Sequence, residues 1–211
     1  MKNTLKTTLI VIAIFATSTA YAGSDSIMTL GIGTSMGVTQ QTPYGGTAQA
    51  AFTNDLTVRA RMLHIFGVEM AYSPTDRMET TSELVFTGQF RASALLYVIP
   101  TSPVALYLKA GIGAESLGDV FKIDAPSNSY HAGAGLDVQL GDHFVLGTEF
   151  LLLAPGITSV KNTLKNFAEQ ELNRYQMEGA EATAAAPKTP SIGDFLSASN
   201  FRVGVTAHYY F

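Results

Sequence analysis

The chain has 211 residues, a formal charge of −4, 46% hydrophobic residues and only 14% charged ones. That length suits one domain with at most an appendage, and the charge content is well below the roughly 25% of ordinary soluble domains. Cysteine is absent, which excludes a disulfide framework, a thiol nucleophile, a thiolate metal site and a lipoprotein anchor; an acidic balance speaks against nucleic acid as a partner.

The first segment, "MKNTLKTTLIVIAIFATSTAYAG", reads as a signal peptide. Lys2 and Lys6 give a basic start, Leu9 to Phe15 an apolar core, and Ala20-Tyr21-Ala22 a small-residue cleavage pattern. The core is too short to span a bilayer as a helix, which takes about 20 apolar residues. Cleavage after Ala22 would remove both lysines and take the formal charge from −4 to −6. The domain expected to remain is 23–211.

From there the apolar residues recur with a period of two, the mark of strands. The spacing predicts strands near 26–39, 48–63, 67–74, 83–98, 104–117, 129–141, 143–154 and 198–211. In "SYHAGAGLDVQLG", Tyr130, Ala132, Ala134, Leu136, Val138 and Leu140 oppose His131, Gly133, Gly135, Asp137 and Gln139. In the last strand Phe201, Val203, Val205, Ala207, Tyr209 and Phe211 oppose Arg202, Gly204, Thr206, His208 and Tyr210. The uncharged run 92–108 holds Pro100 and Pro103. Proline inside a helix costs about 3 kcal/mol, so two strands and a proline turn replace the helix that a hydropathy plot would suggest.

Short turns are predicted at "LHIF" (63–66), "IPTSP" (99–103) and "GDHF" (141–144), and longer polar connections near 40–47, 74–82, 118–128 and 155–196. Their alternation suits a barrel with short turns at one end and long loops at the other. Residues 48–74 admit one long strand instead of two, giving seven in all; eight puts both ends of the domain on one side.

One face of these strands is aliphatic and aromatic. The other is glycine with isolated charges: Arg59, Arg61, Glu69, Arg91, Lys109, Glu115, Asp137, Glu149 and Arg202. A soluble sandwich has a large apolar inner face and a polar outer one. The reverse arrangement is that of a transmembrane barrel, lipid outside and a side-chain-filled lumen inside. The charges are then expected to pair within the lumen. The fold class is all-β, an eight-stranded antiparallel up-and-down transmembrane β-barrel with one helical insertion in the last extracellular loop. A secreted ligand-binding barrel would need the apolar faces turned inward, which would leave Arg59, Arg91, Lys109 and Arg202 on a glycine-rich outer face.

The closing strand, with Tyr209 and Phe211 at its end, resembles the C-terminal assembly signal of bacterial outer-membrane barrels. The pattern over 23–211 resembles the OmpA/OmpX-like family of small eight-stranded barrels. That resemblance implies outer-membrane lipid and the barrel-assembly machinery as partners, with Tyr209 and Phe211 as the signal.

The segment 155–196 breaks the period of two. Val160, Leu164, Phe167, Leu172 and Tyr175 recur at helical spacing with Lys161, Lys165, Glu169 and Arg174 between them. They predict an amphipathic helix over about 158–178, able to cap the barrel, lie on the leaflet or meet a surface partner.

Nothing in the pattern asks for a cofactor or a metal. "GIGTSMG" and "GAGLDVQLG" lie within strands and lead into no helix that could receive a phosphate. The four histidines lack ligand spacing. The His-x-Ser strand pattern of lipid A deacylases is missing at His131 and at His208. The expectation is a structural or surface-interaction barrel. The alternatives are a narrow OmpW-like conduit for small or hydrophobic solutes and, third, an enzyme acting on lipid.

Overall fold

The computed structural model describes residues 27–42, 47–74, 89–100, 103–125, 128–177 and 200–211. Eight strands close into one antiparallel barrel in chain order. They are β1 (Met28–Gln41), β2 (Gln49–Met62), β3 (Phe66–Tyr72), β4 (Phe90–Pro100), β5 (Val104–Ala114), β6 (Ser129–Leu140), β7 (Phe144–Pro155) and β8 (Phe201–Tyr210). Closure is made by β1 against β8, from Gly31 opposite Tyr210 to Gln40 opposite Phe201. A closed sheet has no edge, so the whole ladder of backbone groups is paired within it. Among the described residues no helix is long and apolar enough to cross a membrane; any crossing is made by strands.

The alternation is kept throughout. On β8, Arg202, Gly204, Thr206, His208 and Tyr210 face inward, while Val203, Val205 and Tyr209 are exposed outside. The outer wall carries aromatic residues near both ends. Phe66, Phe144, Tyr209 and Phe211 stand at the short-turn end. Phe52, Tyr72 and Phe90 stand toward the long-loop end, where the rings of Tyr72 and Phe90 lie 5.0 Å apart.

The three expected short turns join β2 to β3, β4 to β5 and β6 to β7. The first is a tight hairpin. Leu63 and His64 have φ of 52° and 58°, and Ile65 N–H donates to Met62 O at 3.2 Å. Positive φ at both central residues is the type I′ geometry that matches strand twist. It makes β2 and β3 two strands rather than one. In the third turn Gly141 supplies the positive φ, 84°. His143 then binds the end of β8: its carbonyl accepts from Tyr210 N–H at 2.7 Å, its Nδ1 lies 2.9 Å from Tyr210 O, and its ring stacks on Tyr209. Phe211 N–H donates to Leu30 O at 2.9 Å, so the chain's last residue is fastened to β1.

β4 is described from Phe90; residues 83–88 of the expected strand lie outside the described ones. A bulge between Tyr97 and Ile99 shifts its register against β5, and pairing continues with Ile99 opposite Leu106. The helix, α1 (Ile157–Met177), follows β7 directly. Pro155, which has no N–H for a further rung, ends the strand, and Gly156 O accepts the first helical bond from Val160 N–H at 3.0 Å. The expected signal peptide, 1–22, and residues 178–199 lie outside the described residues.

Candidate functional site

The strands carry their inward charges into one continuous arrangement. Arg59 on β2 is fully buried and joins two strands: its Nη2 lies 2.6 Å from Glu69 on β3, and its Nη1 donates to Asp137 on β6 at 2.9 Å. Lys109 on β5 donates to Glu69 at 2.6 Å and to Glu149 on β7 at 2.7 Å. Arg202 on β8 lies 3.7 Å from Glu149 and donates to Asp55 on β2. Asp55 also accepts from Arg91 on β4 and from Ser73.

The order is Asp137, Arg59, Glu69, Lys109, Glu149, Arg202, Asp55, Arg91, alternating in sign at every link. Four acids meet four bases, so the chain is neutral. β1 joins through Ser35, which accepts from Arg202 at 3.2 Å and donates to Glu149 at 3.5 Å. Every strand contributes. Inside a barrel each charge loses its hydration, and only a partner with good geometry offsets that loss. A shared chain gives the middle members two partners each.

The geometry also places the remaining candidates. Arg61 is half-buried; it lies over the Tyr97 ring at 4.1 Å and makes no ion pair among the described residues. Tyr97, Tyr107 and Tyr210 fill the short-turn end beneath the charges, with Arg59 over Tyr107 at 5.1 Å. Glu115 is a correction. β5 ends at Ala114, so Glu115 is exposed beyond the strand and is no part of the lumen. Asp55 was missing from the expected set although it shares the odd-numbered face of β2 with Arg59 and Arg61; the two arginines it joins arrive from β4 and β8.

His131 and His208 are both buried in the lumen. His208 Nε2 lies 3.0 Å from Thr57 Oγ1 and 3.7 Å from Glu69. His131 Nε2 lies 2.8 Å from Ser93 Oγ. The two sit in one cross-strand row, Ser93 on β4, Gly111 on β5 and His131 on β6. A Cβ at Gly111 would come within 2.7 Å of His131 Nε2, so glycine lets the imidazole reach across a strand. Sequence spacing alone does not show this pair, because 38 residues separate its members. No carboxylate hydrogen-bonds the other ring nitrogen of His131 among the described residues, so the orienting third group of a catalytic triad is missing. Among those residues no group of three or more acids or histidines could hold a metal.

On α1, Val160 and Phe167 are half-buried, while Leu164 is exposed with Lys161, Lys165 and Glu169. Leu172, Arg174 and Tyr175 fall within the helix span, and their side chains lie outside the described residues. Tyr209 and Phe211 pack edge to face at 5.3 Å on the outer wall.

A family model described as the outer membrane protein beta-barrel domain matches residues 7–208. The chain belongs to that family. No curated protein matches the sequence significantly. Membership assigns this outer-membrane barrel its membrane and agrees with its outward apolar wall. The eight-strand closure fits the small OmpA/OmpX-like type.

Proposed function

We propose that this protein is a sealed outer-membrane barrel with a structural and surface-presenting role, reached after removal of residues 1–22 as a signal peptide. The observation that carries the reading is the eight-membered charge chain. It crosses the lumen and draws on side chains from all eight strands. An eight-stranded barrel is just wide enough for its side chains, and here they are joined from wall to wall. Short turns mark the periplasmic end and long loops the outer end, which puts α1 and the β5–β6 loop at the cell surface. The loop over 155–196 remains the place where a surface partner would bind. Tyr209 and Phe211 would serve recognition by the assembly machinery.

A narrow conduit is the second reading. The hydroxyls of Tyr97, Tyr107 and Tyr210 have no protein hydrogen-bond partner among the described residues, and buried polar groups are normally satisfied, often by water. They line the periplasmic end and favour a wet vestibule there, below the charge chain. A lipid-modifying activity has only the Ser93–His131 pair in its favour, and both residues are buried inside the lumen.

Planar-bilayer recording separates these. The sealed reading expects purified, refolded protein to give no stable conductance steps. Reproducible ohmic steps from wild-type protein would overturn it in favour of the conduit.

A further inference from the structure

The β5–β6 loop is a built surface. Four successive backbone hydrogen bonds, each between residues three apart, run through it: Asp119 N–H to Ser116 O, Lys122 N–H to Asp119 O, Ala125 N–H to Lys122 O and Asn128 N–H to Ala125 O, at 3.0–3.2 Å. Ser116 Oγ donates to one Asp119 oxygen at 2.8 Å and Lys122 to the other at 3.0 Å. Those two donors, Lys122 first, hold the exposed Asp119 carboxyl below its ordinary range. Val120 and Ala125 are turned in and buried. Phe121 and Ile123 are turned out, 74% and 67% exposed, more than the 45% of the wall residue Phe150. Holding two large apolar side chains outward on an ordered loop marks a contact surface.

Its position says what it contacts. Tyr130 stands on the outer face of β6 and donates its hydroxyl to Ile123 O at 3.2 Å. The loop is thereby tied to the outside of the wall. Thr158, in the first turn of α1, donates to Asp124 O at 3.0 Å and brings the exposed Ile157 alongside. Leu117, Phe121, Ile123 and Ile157 thus continue the apolar belt upward. Lys122, between Phe121 and Ile123, is exposed and carries a cation 3.0 Å from Asp119. Apolar side chains dipped into the acyl boundary with a basic residue at headgroup height is the chemistry of interfacial anchoring.

We propose that the β5–β6 loop is a lipid anchor, with Phe121 and Ile123 inserted into the outer leaflet and Lys122 against a headgroup phosphate. The proposal rests on the outer-membrane reading above and adds a site to it. The chain has no tryptophan, so a single introduced indole reports its own surroundings. Phe121→Trp and Ile123→Trp are refolded into phosphatidylcholine vesicles containing anionic phosphatidylglycerol, with and without acyl-brominated lipid. Phe150→Trp, on the wall, serves as the control. The anchor expects both loop indoles to emit blue-shifted and to lose intensity to brominated lipid, as the control does. Emission at the water position with quenching by iodide would overturn it. So would blue-shifted emission insensitive to bromine, which would mean that protein, such as another loop or a second copy, covers the site. A control that brominated lipid fails to quench would instead overturn the membrane reading itself. Retained heat-modifiable migration shows that each variant has folded.

Discussion

Asp55 is the residue on which most depends. It is buried and holds both Arg91 and Arg202. Removing one partner of a buried pair leaves an uncompensated charge and costs about 3–5 kcal/mol. Asp55→Ala is expected to lower stability by about that much, read as a drop in the urea midpoint of the refolded barrel. A change below about 1 kcal/mol would place this pair in the class of weak surface bridges. The same scale explains the glycines. Tyr210 faces Gly31 across the sheet, His208 faces Gly33, His131 faces Gly111 and Tyr107 faces Gly135. At each of these glycines a Cβ would come within 2.8 Å of the large ring opposite. The glycine-rich inner face is the complement of the large side chains that cross the lumen. Its glycines were visible in the sequence; their partners depend on strand register.

The tight β2–β3 turn carries a conflict at the level of the element. Type I′ geometry favours Asn-Gly, yet Leu63 and His64 occupy it with positive φ. Each L-residue with a Cβ held there costs roughly 1–2 kcal/mol. The double substitution Leu63→Asn, His64→Gly is expected to stabilise the barrel by about 1 kcal/mol or more, seen as slower unfolding in urea. Unchanged or faster unfolding would show that Leu63, exposed beside Ile65, contributes more as an apolar rim residue than the turn loses in strain.

Elements with a strict period of two were readable from the sequence: β1, β5, β6, β7 and β8 fall within a few residues of expectation. α1 was readable from its change of period. The β5–β6 loop was not. The sequence offers it only as a polar connection, since Phe121 and Ile123 follow no period and take their direction from the turns that begin at Ser116. Glu115 was misplaced for a related reason, because the alternation of residue types runs on after the strand has stopped.

For the whole molecule, the eight-membered charge chain is buried within a closed wall, and the sealed reading keeps dissolved salt from it. Screening acts mainly on exposed charges. The temperature at which the compact, faster-migrating gel form converts to the unfolded form is expected to be the same at low and high salt. A marked fall with salt would mean that solvent ions reach the chain, which is the behaviour of an open conduit. The charge chain as a whole could not be read from sequence. Parity supplies the inward residues, but the partners come from strands brought together only by closure.

That closure has a consequence for how the barrel is made. Arg202 meets Ser35 across a separation of 167 residues, and contacts so distant in sequence form late. Until β8 arrives, Asp55 and Glu149 lack the arginine they share, and the part of the charge chain carried by β1–β7 has one more acid than base. A half-made barrel is therefore a trough with unmet charge that stays wet and stays open. The last strand brings the missing cation, the two partners for the His143 turn and the seam with β1 together. Completion is thus a single all-or-none event, in which insertion of β8 both dries the lumen and locks the wall.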